Sequence, residues 1–117
     1  MTISDVVTRL MYLQLQIRIF HWQTTSFAQH EAFGKFYDSL SGLLDEFVEA
    51  FQGRYDRIMF NDSIVLKNMD EVDINTALER VTDILVNEIE LTDTDLLNIR
   101  DEILGAVNKL KYLLTLQ

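Results

Sequence analysis

RYDRIMFNDSIVLKNMDEV, Arg54 to Val72, is the stretch on which the fold turns. It lacks a helical apolar stripe. Its apolar residues fall in two runs, Ile58-Met59-Phe60 and Ile64-Val65-Leu66. Such runs predict an irregular segment that packs on the body of the protein, with room for a short helix. A segment of ~19 residues reaches up to about 60 Å when extended. A helix of ~25 residues is only about 38 Å long. The segment is therefore long enough to carry the chain from one end of a helix pair back to the other.

Helical patterns flank it on both sides. Thr2 and Asp5 form a capping box before a first helix, in which Val6, Val7, Leu10, Leu13, Ile17 and Phe20 recur at helical spacing. Thr24-Thr25-Ser26 breaks it, near Gln23 or Thr24. Ser26 and Gln29 predict a second capping box, opening a helix with Phe33, Phe36, Tyr37, Leu40, Leu44, Phe47 and Phe51. Gly53 is its expected stop. Asp73 caps a third helix with Ile74, Ala77, Leu78, Val81, Ile84 and Leu85. After Leu91-Thr92-Asp93 comes a fourth, with Leu96, Ile99, Ile103, Val107, Leu110 and Leu114. The connections run short, long, short. The expected fold is all-α, one domain over residues 1–117. One long crossover between the second and third helices is the ferritin-like layout, favoured here over an up-down-up-down bundle that needs no such segment.

Composition agrees. The 117 residues include no Pro and 4 Gly, so there are few breaks, and no Cys, which excludes disulfides, thiolate zinc sites and a thiol nucleophile. The formal net charge of −9 argues against binding nucleic acid or anionic membranes and suits cations. Met1 to Met11 carries Asp5 and Arg9 and lacks a signal-peptide pattern, so a cytoplasmic protein is expected.

Two features go beyond a simple bundle. The first helix has a second apolar stripe, Met11, Leu15, Ile19 and Trp22, well away from the first on a helical wheel. It predicts burial against another subunit, unless the crossover covers it. The second helix has a polar flank: His30, Gly34, Asp38, Ser41, Gly42, Asp45 and Glu49. Asp45 and Glu49, one turn apart, repel each other without a cation between them. His21 lies near the same short loop as His30. Two imidazoles and two carboxylates suit iron, manganese or zinc. Asp45 lies about 22 Å along the helix from His30 at ~1.5 Å per residue. One subunit does not easily bring His30 and Glu49 to one metal, whereas a symmetric antiparallel partner does. The plain alternatives are hydrogen-bonded core histidines and a solvated acidic face. The Glu-x-x-His signal of di-iron bundles is missing.

From His21-Trp22-Gln23 through Phe27, His30-Glu31 and Asp45-x-x-x-Glu49, the chain resembles the Dps proteins, miniature ferritins that protect DNA during starvation. Lys109-Leu110-Lys111-Tyr112-Leu113-Leu114 resembles the close of their last helix. The resemblance implies a ferritin-like bundle with a short helix in the crossover. It implies oxidation of Fe²⁺, preferably by hydrogen peroxide, and a hollow twelve-subunit shell. It places the ferroxidase site between two subunits: His21 and His30 from one, Asp45 and Glu49 from the other, all as metal-binding and catalytic residues. Trp22 matches the tryptophan after the first histidine. Gly34 stands where the family carries an Asp, which leaves Asp38, one turn on, as a substitute ligand. The break between the histidines is short, and a Lys-rich tail for DNA is missing. The competing reading is a ferritin-like helical dimer, an assembly module without catalysis.

Overall fold

The structure is a computed structural model that describes residues 1–116. Among these residues the regular structure is helical throughout. It comprises α1 (Ile3–Gln23), α2 (Phe27–Arg54), α3 (Ile74–Asp83) and α4 (Thr94–Leu113), with a 3₁₀ turn at Met69–Glu71 and a π turn at Ile84–Glu88. No helix among them is long and apolar enough to cross a membrane.

The start of α1 follows from its first residues. Thr2 Oγ1 accepts from the Asp5 N–H at 3.2 Å, and the Asp5 carboxylate accepts from the Thr2 N–H at 3.0 Å. Hydrogen bonding to the Asp5 carboxylate, from the Thr2 hydroxyl first and then from the Thr2 N–H, holds that carboxyl below its ordinary value. Val6, Val7, Leu10, Leu13, Ile17 and Phe20 are all buried, as their spacing predicts. The helix ends where Thr24 turns extended and donates its N–H to the Phe20 carbonyl at 2.9 Å.

Only half of the second capping box forms. Ser26 Oγ accepts from the Gln29 N–H at 3.2 Å. The Gln29 amide oxygen instead accepts the Thr24 hydroxyl at 2.7 Å, which ties the loop to α2. Helix α2 buries Ala32, Phe33, Phe36, Leu40, Leu44 and Phe47. Phe20 and Phe33 meet edge to face at 5.8 Å and join α1 to α2.

Gly53 does not stop α2. The helix runs on to Arg54, and Tyr55 caps it at φ −113° rather than in a left-handed conformation. Side chains make this end. Arg54 pairs with Asp95 at 3.0 Å and Asp93 at 3.4 Å, and the Tyr55 hydroxyl donates to Asp93. The Asp95 carboxylate raises the Arg54 pKa, and the bond to Asp93 raises that of Tyr55. Asp93, so engaged, gives α4 no side-chain cap.

The connecting segment lies along α1. Met59, Phe60 and Asn61 line a cleft with Thr2, Ser4 and Asp5, at the start of α1. Ile58 is buried, while Met59 is 82% exposed. Farther on, the buried Gln16 amide donates to the Lys67 carbonyl at 2.8 Å and accepts the Lys67 N–H at 3.0 Å. At the end of α1, Gln23 accepts the Met69 N–H and donates to Asn68. In place of a short helix, the segment holds the 3₁₀ turn Met69–Glu71.

Asp73 caps α3, accepting from the Asn75 N–H at 3.2 Å and the Thr76 hydroxyl at 2.9 Å. Where α3 widens into its π turn, Arg100 of α4 donates to the Leu85 carbonyl at 2.9 Å. Leu78, Val81, Ile84 and Leu85 meet Leu96, Ile103, Val107 and Leu110 in the same core as α1 and α2. The second stripe of α1 stays largely outside it: Met11 is 41% and Trp22 67% exposed, with Leu15 and Ile19 half-buried. The connecting segment is anchored by Gln16 and Gln23 instead.

Candidate metal centre

His21 stands in the last turn of α1 and His30 in the first turn of α2. The three-residue loop between the helices folds them together. Their rings stack with centroids 3.9 Å apart and planes 13° from parallel. Each ring bonds the other residue's backbone: His21 Nδ1 to the His30 carbonyl at 2.7 Å, and His30 Nδ1 to the His21 carbonyl at 2.8 Å. The second bond also satisfies a carbonyl that α1 leaves free at its end. A carbonyl only accepts, so each Nδ1 carries the hydrogen. In the neutral rings both Nε2 atoms then keep free lone pairs. An Nδ1–H bond of this kind fixes a histidine's tautomer and turns its Nε2 lone pair toward a metal.

Gly34 lies directly against this pair. A Cβ at position 34 would stand 3.0 Å from His21 Cε1 and 3.3 Å from His21 Nδ1. An Asp at this position conflicts with the His21 ring where it sits. The short loop brings the His21 ring over α2, and any side chain at position 34 requires that ring to give way by a few tenths of an ångström.

Next to the histidines is an open cleft of about 240 Å³, lined by Arg18, His21, Trp22, Gly34, Tyr37 and Asp38. Arg18 lies over the Tyr37 ring at 4.4 Å and over the Trp22 ring at 5.6 Å. Phe27, 77% exposed, flanks His30 with ring centroids 6.4 Å apart. Asp38 is exposed at the rim.

The expected ligands come together only in part. One chain joins His21, His30 and Trp22 at one end, with Asp38 beside the cleft. It leaves Asp45 and Glu49 exposed farther along α2. Among the described residues no group of three or more His, Asp or Glu side chains could hold a metal ion. Sequence reasoning missed Arg18 and Tyr37. The i, i+4 spacing of Arg18 and Trp22 was a usable signal, but the approach of Tyr37 from another helix had none.

The DUF5856 family, described as a family of unknown function, matches residues 21–114. The chain belongs to this family. The match begins at His21 and includes His30, Gly34, Asp38, Asp45 and Glu49. No curated protein and no solved structure matches the chain.

Proposed function

We propose that the protein is a Dps-like mini-ferritin that binds Fe²⁺ between two subunits and oxidises it. The observation that carries this reading is the reciprocal histidine pair, which fixes both rings and leaves a free lone pair on each Nε2. Hydrogen-bonded core histidines would satisfy Nδ1 equally well. Both residues, however, are only half-buried and His21 lines an open cleft, access that a core pair does not need.

The path of the chain supports a ferritin-like order of helices. The connecting segment follows α1 from Thr2 to Gln23, and the end of α2 meets the start of α4 through Arg54 and Asp95. A long crossover between helix pairs would take such a path. Its anchors leave Met11 and Trp22 for a second subunit.

In this reading His21 and His30 offer nitrogen to Fe²⁺. Asp45 and Glu49 of the partner subunit offer oxygen and favour the harder Fe³⁺ product. Glu49 is the bridging candidate, and Asp38 can add a further oxygen from the cleft. Two Fe²⁺ give two electrons to one H₂O₂, which takes up two protons and leaves as two waters. Trp22 shields one side of the cleft. The net charge of −9 raises the local concentration of cations and opposes DNA binding.

The test mixes the metal-free protein with Fe²⁺ and peroxide and follows ferric absorbance. The wild type is expected to exceed buffer, with Glu49→Ala about tenfold or more slower. A wild type that oxidises at the rate of buffer overturns the ferroxidase reading. The second reading, an assembly module without catalysis, then gains ground, because Gly34 removes a carboxylate of the Dps pattern.

A further inference from the structure

Arg18 is exposed and has no carboxylate within 4.0 Å among the described residues. Its guanidinium is nonetheless placed, over Tyr37 at 4.4 Å and Trp22 at 5.6 Å. Aromatic faces on an arginine leave its N–H edge for a planar anion. On the polar flank of α2, Asp38, Asp45 and Glu49 also lack a cation within 4.0 Å among the described residues. Arg18 cannot serve Asp45 within one chain. Asp45 lies about 12 Å beyond Tyr37 along α2, at ~1.5 Å per residue.

A second copy removes that distance. Ser41 and Gly42 lie midway between Asp38 and Asp45, and also midway between Gly34 and Glu49. An antiparallel α2 with its dyad there sets the partner's Asp45 against Asp38 and the partner's Glu49 against Gly34. The surface is open to that approach, since a Cβ on Gly42 would meet nothing within 4 Å. Two facing carboxylates repel unless a cation stands between them. Arg18 is the cation in the cleft that holds Asp38 and Gly34.

We propose that Arg18 is an interface residue of the metal-free dimer: its guanidinium takes the carboxylates of the partner's Asp45 and Glu49, and a divalent cation displaces it. The inference rests on the shared-site reading above. It adds a resident counter-ion that holds the empty site together and must leave before the site fills. A bidentate Arg–carboxylate contact is the geometry suited to that role.

Sedimentation of the full chain tests it, with Zn²⁺ as a divalent probe that does no redox chemistry. Without metal, Arg18→Ala, Arg18→Glu and Glu49→Arg are each expected to weaken dimerisation about tenfold or more. The double reversal Arg18→Glu/Glu49→Arg recovers most of the loss. With saturating Zn²⁺, Arg18→Ala dimerises like the wild type. An Arg18→Ala protein that matches the wild type without metal overturns the inference but leaves the shared site standing. A dependence on Arg18 that Zn²⁺ does not relieve overturns the displacement. A wild type that stays monomeric with and without Zn²⁺ overturns the shared site itself, and the role of Arg18 with it.

Discussion

Gly34 controls the candidate centre through the side chain it lacks. In mid-helix, a glycine-to-alanine change normally gains about 0.5–1 kcal/mol. Here the new Cβ meets His21 at 3.0 Å. The ring cannot retreat cheaply, because it is bonded at Nδ1 and stacked on His30. Crowding of this kind costs about 1–3 kcal/mol, so Gly34→Ala is expected to lose about 1 kcal/mol net in urea unfolding. Gly105, in α4 with nothing within 4 Å of a Cβ, is the control and should show the ordinary gain. Equal effects at the two glycines would mean that the His21 ring is free to move. The glycine was legible as a departure from a pattern, while its reason was not. The clash depends on where a ring from α1 lands on α2.

At the scale of the element, the caps show what local sequence decides. Thr2 and Asp5 form the box their spacing predicts, since both partners lie within four residues. Thr2→Ala is expected to cost about 1 kcal/mol of stability, measured by thermal unfolding. The pH dependence has a definite sign. The folded Asp5 pKa is lowered, so its contribution is complete above the ordinary aspartate range and is lost as pH falls through the folded value. In Thr2→Ala that acid-side loss should shrink, and an unchanged acid profile would remove the box as its cause. The end of α2 teaches the opposite. Gly53 is a stop signal by composition, but the helix ends one residue on, where Arg54 and Tyr55 reach Asp93 and Asp95 at the start of α4. Contacts between residues about 40 positions apart outweigh a local preference.

At the scale of the whole molecule, the connecting segment depends on one buried amide. Gln16 is 1% exposed, and it both donates to and accepts from Lys67. Gln16→Leu keeps the volume and leaves both Lys67 backbone groups without their partner. The expected loss is about 2 kcal/mol. Limited proteolysis should then cut first within the segment before Lys67. Cleavage unchanged from the wild type would show that Ile58 and Gln23 hold the segment without Gln16. Gln16 sits beside the apolar stripe of α1 and reads there as an ordinary polar neighbour. Nothing in its local sequence marks it as the anchor of a distant backbone.

The four helices, most of their caps, the length of the connection and the residue types able to bind a metal can all be read along the chain. These follow from periodicity and from hydrogen bonds between near neighbours, which a linear chain displays. Packing of one helix on another is what makes His21 and His30 bond each other's backbone and stack, sets the His21 ring against Gly34, and rests Arg18 on Tyr37 with no carboxylate within 4.0 Å among the described residues. Those facts depend on the rotation and approach of one helix against another, which many packed side chains set jointly and no short stretch encodes.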